Sequence, residues 1–315
     1  MTFEETVGQD YQLIKADDLT EKVKVTADCL DDWEKNLRLG DAYLNTSAKS
    51  ECAIARFTLG LLALHNFQYE LAEEMFEKAD KNERTEAGRS FPMALWGAAM
   101  STTQILWSSA NCTKGKKYLK KIPKKRDWIT EKENAYIKTG FALYPKSLTC
   151  AQDNDQFVKE KRIFKSFQKL TKKYPEETEA ALFYAVALTA TLRHDTKRNN
   201  KFEKTKSLLE ALEQTHPTHP GVIHYIIHLL DTPVLFYKGN KRFLDQMIEP
   251  IEQKDHEASM ARRASDNYLK VATSGCHALH MPSHIYMRFG NWSRALESNL
   301  VSIKVKLTLL MTKIN

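Results

Sequence analysis

Two short segments carry histidines at helical spacing. In HPGVIHYIIHLLD, His224 and His228 lie four residues apart, and in HALHMPSHIYMRFGNW, His277, His280 and His284 follow one another at intervals of three and four. Such intervals set side chains on one face of a helix. Imidazole is the commonest protein ligand for zinc, copper, nickel and iron, so rings on neighbouring helices can together close a coordination shell. The spacing predicts a transition-metal site built from His224, His228, His280 and His284, with His277 and His65 as additional candidates. A hydrogen-bonded histidine network is the competing reading of the same residues. Tyr225, Asp231, Tyr286 and Glu70 stand close by in the sequence as groups able to orient the rings or handle protons. His194, His216, His219 and His256 fall in loop contexts and read as ordinary satisfied polar residues.

No reaction is named by these residues. HYIIH lacks the glutamate of HExxH, which removes the general base of a zinc protease, and no Ser–His–Asp order, phosphate loop or GxGxxG is present. Met281 and Met287 lie beside the second cluster, but methionine more often fills gaps in a core than binds copper. Trp96, Trp107 and Trp292 read as packing residues by the same logic.

The elements that must position these side chains are helices. Pro282 and Ser283 suit a first helical turn, where a missing N–H costs nothing, and Gly290 suits the left-handed residue that stops the helix. Around His224 and His228 the apolar stripe is Ile223, Ile226, Ile227 and Leu230, which places the two imidazoles along the edge of a groove rather than in the core. Thr130 and Glu133 form a capping box for a helix that ends before Pro145. Asp155 opens a long helix with Ile163, Phe167 and Leu170 on its core face. Paired helices are expected over 179–192 and 202–213, and an extra one over 258–271.

At 315 residues, 42% hydrophobic and 28% charged, the chain is long enough for one large core or two small ones. Eleven glycines and nine prolines are too few for an all-β protein rich in tight turns. No apolar run is long enough to span a bilayer, and the N-terminus lacks a basic region followed by an apolar core. The five cysteines are widely spaced and form no CxxC pair, which predicts reduced thiols and a cytoplasmic protein. The net charge of +7 gathers in KGKKYLKKIPKKRDW, read as a solvated helix and its exit loop. Without a recognition or stacking motif beside it, neither a nucleic-acid nor a membrane partner is expected.

ARFTLGLLALHNFQYELAEEMFEKAD places Leu59-Gly60 ahead of Ala72, Phe76 and Ala79 at tetratricopeptide intervals, and FPMALWGAAMSTTQILW repeats the first-helix pattern around Trp96-Gly97. With HPGVIHYIIHLLD and HALHMPSHIYMRFGNWSRALESNL, these segments make the chain resemble a set of bacterial tetratricopeptide-repeat proteins of unassigned activity, over 56–300. AMSTTQILW departs from those relatives at Gln104, where they carry histidine. The resemblance implies an all-α, right-handed α-solenoid of roughly six helical hairpins. Residues 1–45 then form a leading helical cap that includes Val23, Ala27, Leu30, Trp33, Leu37 and Leu39, and 46–315 form the repeat domain, incomplete at its C-terminus. It also places His277, His280, His284, His224, His228 and His65 on a concave groove that takes a peptide or protein ligand, or a small molecule at the histidines. The expected function is that of a helical-repeat binding protein with a histidine-lined site. A metal-dependent enzyme using His224, His228, His280 and His284 is the alternative. Ile303, Leu307, Leu310 and Ile314 give the last helix an apolar flank, which predicts a continuation of the chain that covers it, a homodimer through it, or leading helices folded back onto it.

Overall fold

The computed structural model of the chain describes residues 28–41, 44–107, 109–192, 198–231 and 256–314. Over these it is all-α apart from one two-residue hairpin. A short α1 (Asp32–Lys35) precedes α2 (Glu51–His65), α3 (Tyr69–Ala87) and α4 (Pro92–Met100). Then come β1 (Thr103–Gln104), a 3-10 turn (Ile105–Trp107) and β2 (Ser109–Ala110), followed by α5 (Cys112–Lys121), α6 (Glu131–Leu143) and α7 (Gln156–Lys173). The remainder is α8 (Thr178–Thr191), α9 (Arg198–Thr215), α10 (Pro220–Leu230), α11 (His256–Val271), α12 (Cys276–His280), α13 (Pro282–Arg288) and α14 (Trp292–Ile314).

The helix starts follow local chemistry. Ser50, Asn111, Thr130 and Asp155 each accept a backbone N–H of the first turn, and Thr130 and Glu133 complete the expected capping box. Most helices pack against the next in sequence, and close approach is bought by small residues: the Phe76 ring lies where a Cβ on Gly60 or Gly97 would sit, 2.8 Å and 2.5 Å away. The α10 helix breaks the simple order by touching α2 and α8 as well as α9 and α11. Tyr268 of α11 reinforces that closure by donating to Asn66, just past the end of α2, at 2.7 Å.

Several expectations are corrected. The helix predicted from Phe91 to Trp107 ends at Met100, because the Ser101 and Thr102 hydroxyls bond back to the carbonyls of Gly97 and Ala99 and compete with the helical ladder. Leu30, Leu37 and Leu39 are buried, but of the expected leading helices only Asp32–Lys35 is helical among the described residues around them. Backbone groups of Arg38 are instead satisfied by Ser274, at 2.9 Å in each direction. Val23 and Ala27 lie outside the described residues. Trp96 is a core residue, whereas Trp107 and Trp292 are 49% and 67% exposed. The lysine run is partly committed within the chain: Lys114 pairs with Glu73, and Lys116 donates to the carbonyls of Pro145 and Leu148. Ile303, Leu307 and Leu310 are exposed on α14, as their spacing predicts.

The cysteine reading also changes. Cys29 is joined to Cys52 and Cys112 to Cys150, leaving Cys276 as the free thiol. Wide sequence separation hid both pairs, since each is made by helices or loops that meet only in the fold. Under denaturing conditions a thiol assay should count one reactive cysteine before reduction and all five after it. Five thiols without reductant would show the bonds do not form.

No helix among the described residues is long and apolar enough to cross a membrane. Because Phe76 is fully buried and cannot swing aside, Gly97→Ala should destabilise the protein by roughly 1–3 kcal/mol through overpacking. Thermal unfolding measures this, and an unchanged melting temperature would mean that the α3–α4 contact is looser than described.

Candidate metal centre

The second histidine segment runs through Pro282 without losing its helical path. Met281, between α12 and α13, has φ −56° and ψ −37°, and its N–H bonds to the His277 carbonyl at 3.0 Å. Proline at the first position of α13 has no N–H to lose, so the break in hydrogen bonding is small. His277 therefore points with α12 toward α10, where His224 and His228 present their rings one turn apart.

Ring nitrogens of His224, His228 and His277 lie within 4.8 Å of one another. The Nε2 atoms of all three are buried and have no hydrogen-bond partner among the described residues. For His224 the tautomer follows from geometry. Its Nδ1 faces the His65 carbonyl at 2.6 Å, an acceptor left free at the C-terminus of α2, so Nδ1 carries the proton and Nε2 the lone pair. A second-sphere carbonyl holding Nδ1–H is the usual way a protein orients a histidine ligand. Burial, reinforced by the neighbouring imidazoles, pulls His224 well below the ordinary imidazole value. Burial likewise lowers His228 to about 3 and His277 to about 4. All three rings are thus neutral at pH 7, the form that binds metal.

An aromatic wall covers this group. The Phe67 ring centroid lies 4.3 Å from His224, 5.3 Å from His228 and 5.7 Å from His277. Trp107 adds edge contacts at 5.7 Å to His228 and 6.0 Å to His277. Phe67 achieves this with φ 54°, at the left-handed position that closes α2, where Gln68 N–H reaches the Ala63 carbonyl. Glycine normally fills that position because a side chain there costs about 1 kcal/mol or more.

A second constellation sits behind the first. Glu179, in the first turn of α8, accepts from His65 Nε2 at 2.6 Å and from His219 Nε2 at 3.0 Å, and all three are buried. The His219 Nδ1 caps α10 by accepting the Gly221 N–H at 3.0 Å, so its Nε2 must be the donor to Glu179. Burial keeps the Tyr225 hydroxyl protonated, and it donates to His65 Nδ1 at 2.8 Å. Burial alone would raise the Glu179 carboxyl, but the charge interactions and hydrogen bonds of His65 and His219 hold it below its ordinary range. Burial lowers His65 despite the opposing pull of Glu179. Each of these ring nitrogens has a partner, so the group is a hydrogen-bonded network and not a second ion site, although its donor set resembles one.

The structure therefore regroups the predicted residues. His224 and His228 meet His277, while His280 and His284 pair with each other at 3.0 Å between Nε2 atoms. Asp231 accepts from His284 at 3.1 Å and from Arg288 at 2.6 Å. His65 and Tyr225 belong to the Glu179 network, Tyr286 donates to Asp266 at 2.7 Å, and Glu70 is exposed in the first turn of α3. His65 and His224 are fully buried rather than at a groove edge, because α10 packs onto α2. His216 and His256 bond to Thr178 and Glu210 as ordinary polar residues, and His194 lies outside the described residues. Glu179 was missed, and His219, read as a satisfied polar residue of a loop, is satisfied by Glu179 and the Gly221 N–H but is buried. The available signal was the glutamate standing directly before the apolar run AALFYAVAL and a histidine at the cap position before Pro220.

Comparison with known protein families, with curated proteins and with solved structures finds no match.

The buried imidazoles make acid stability a direct readout. His228 and His277 titrate at about 3 and about 4 when folded, against 6.5 as the unperturbed value. Below pH 6.5 the unfolded chain takes up protons that the folded one refuses, so this stability is complete above that pH and is lost as the pH falls toward 4. The melting temperature of metal-free protein should fall steadily through this window, and less steeply in His228→Gln. A flat profile would mean that the rings are solvated.

Proposed function

We propose that the chain is a helical-repeat binding protein of tetratricopeptide type whose centre binds one transition-metal ion through His224, His228 and His277. The observation that carries this is the convergence of three neutral imidazoles whose buried Nε2 atoms have no hydrogen-bond partner among the described residues. Each unpaired buried polar atom costs on the order of 1–3 kcal/mol, and a shared cation removes all three penalties at once. An ion bonded at about 2.0–2.1 Å to three nitrogens holds them roughly 3.3 Å apart, so the present spread needs only a small side-chain adjustment. Zinc, copper, nickel and iron all suit imidazole donors. The solenoid reading is supported by helices that pack on their sequence neighbours and by the Gly60–Phe76–Gly97 contact. The ligand is a small molecule, or a peptide or protein side chain, that reaches the ion beside Phe67 and Trp107. Two disulfides favour an oxidising compartment over the cytoplasm expected from the cysteine spacing.

A metal-dependent enzyme is the second reading, favoured by the ligand count. Three protein donors is the number found in catalytic zinc sites, which keep a further position open. Azide added to cobalt-loaded protein should then change its absorption spectrum, and an unchanged spectrum would leave only the binding reading.

Elemental analysis of untagged protein tests the centre itself. Parent protein loaded and desalted should retain a full equivalent of metal that His228→Ala, shown to be folded by circular dichroism, lacks. Equal metal in parent and variant would overturn the assignment.

A further inference from the structure

The His280–His284 pair has a feature that a simple hydrogen bond between two neutral rings does not explain. Asn299 donates through Nδ2 to the Ala295 carbonyl at 2.8 Å, which turns its Oδ1 toward His280 Nδ1 at 2.6 Å. Amide oxygen only accepts, so His280 Nδ1 carries a proton. On the other ring, Asp231 Oδ2 faces His284 Nδ1 at 3.1 Å. Arg288 fixes that carboxylate by donating to Oδ1 at 2.6 Å and to the Asp231 backbone carbonyl. His284 Nδ1 is therefore a donor as well. Both rings have spent their one neutral proton on Nδ1, and two Nε2 lone pairs are left facing each other at 3.0 Å.

Two lone pairs at that distance repel unless a cation lies between them. It is either a third proton, shared by the two rings, or a metal ion. We propose that His280 and His284 form a second transition-metal position, distinct from the three-histidine centre and not resting on it. Two features favour the metal. Both Nδ1 protons are held by side-chain oxygens, the arrangement that orients histidine ligands. His284 is also about one-third exposed, so an ion there can complete its shell with water. An ion about 2.0–2.1 Å from each nitrogen would subtend roughly a right angle at this separation. That is a cis pair of a higher-coordinate ion such as Zn(II), Ni(II), Co(II) or Cu(II). Linear two-coordinate Cu(I) would instead need the nitrogens about 4 Å apart.

The test is calorimetric titration of the chelator-stripped full chain with Zn(II). Parent protein should take up two equivalents, and the His280→Ala, His284→Ala double variant one. His228→Ala should lose the other equivalent and keep the one at this pair. His284→Gln, a smaller change, guards against a folding defect in the double variant and should also lose one equivalent. Undiminished uptake in the double variant and in His284→Gln would show a shared proton only. A single equivalent abolished by either set of changes would show one joint centre, and overturns the separate position. A single equivalent lost only with the pair supports this position while removing the three-histidine one.

Discussion

A single buried carboxylate holds the candidate centre in place. Glu179 has no exposed surface, and an ionised group so placed is tolerated only when donors surround it. Its two donors come from the C-terminus of α2 and the cap of α10, so satisfying the charge forces those elements together against α8. Tyr225, one residue beyond His224, closes the same network on His65. With His65 fixed, its backbone carbonyl meets His224 Nδ1 and sets that ring's tautomer. The chain of cause runs from one acid, through two rings that bind no ion, to the orientation of a third ring that is free to bind one.

Much of this was legible in the sequence and some was not. Spacing of four placed His224 and His228 on one face, and capping chemistry at Thr130, Asp155 and Pro282 located helix starts correctly. The grouping of His280 and His284 with His224 and His228 failed for a geometric reason. His277 and His284 point in nearly the same direction, but seven residues of helix separate them by about 10 Å along the axis. His277 therefore meets α10 along its length, while His284 reaches Asp231, the residue that ends α10. Periodicity reports direction around a helix and says nothing about which neighbour lies at each level.

Glu179, its bond to His219 and both disulfides were invisible for a different reason. Their partners lie from 23 to 114 residues away, and no local rule connects them. Trp107 belongs with them: it looked like a core residue until two hydroxyl residues, Ser101 and Thr102, ended α4 and the chain turned over the histidines. Phe67 shows the converse. Only glycine sits comfortably at a left-handed helix end, so a phenylalanine there signals that its ring is needed where that backbone places it.

The two buried histidine groups, compared with each other, sharpen the functional reading. Around Glu179 every ring nitrogen is paired, the hydroxyl of Tyr225 is used, and the cluster explains itself as structure. A few ångströms away, beneath Phe67, the same residue type is packed with three Nε2 atoms unpaired and like rings in contact. Aliphatic side chains would fill that space at lower free-energy cost, and the adjacent network shows that this fold can satisfy buried imidazoles when they serve only to hold helices together. Unpaired nitrogens and a strained phenylalanine are two separate costs at one location. A cation at the point on which the rings converge would relieve the unpaired nitrogens, which is what the proposed function requires.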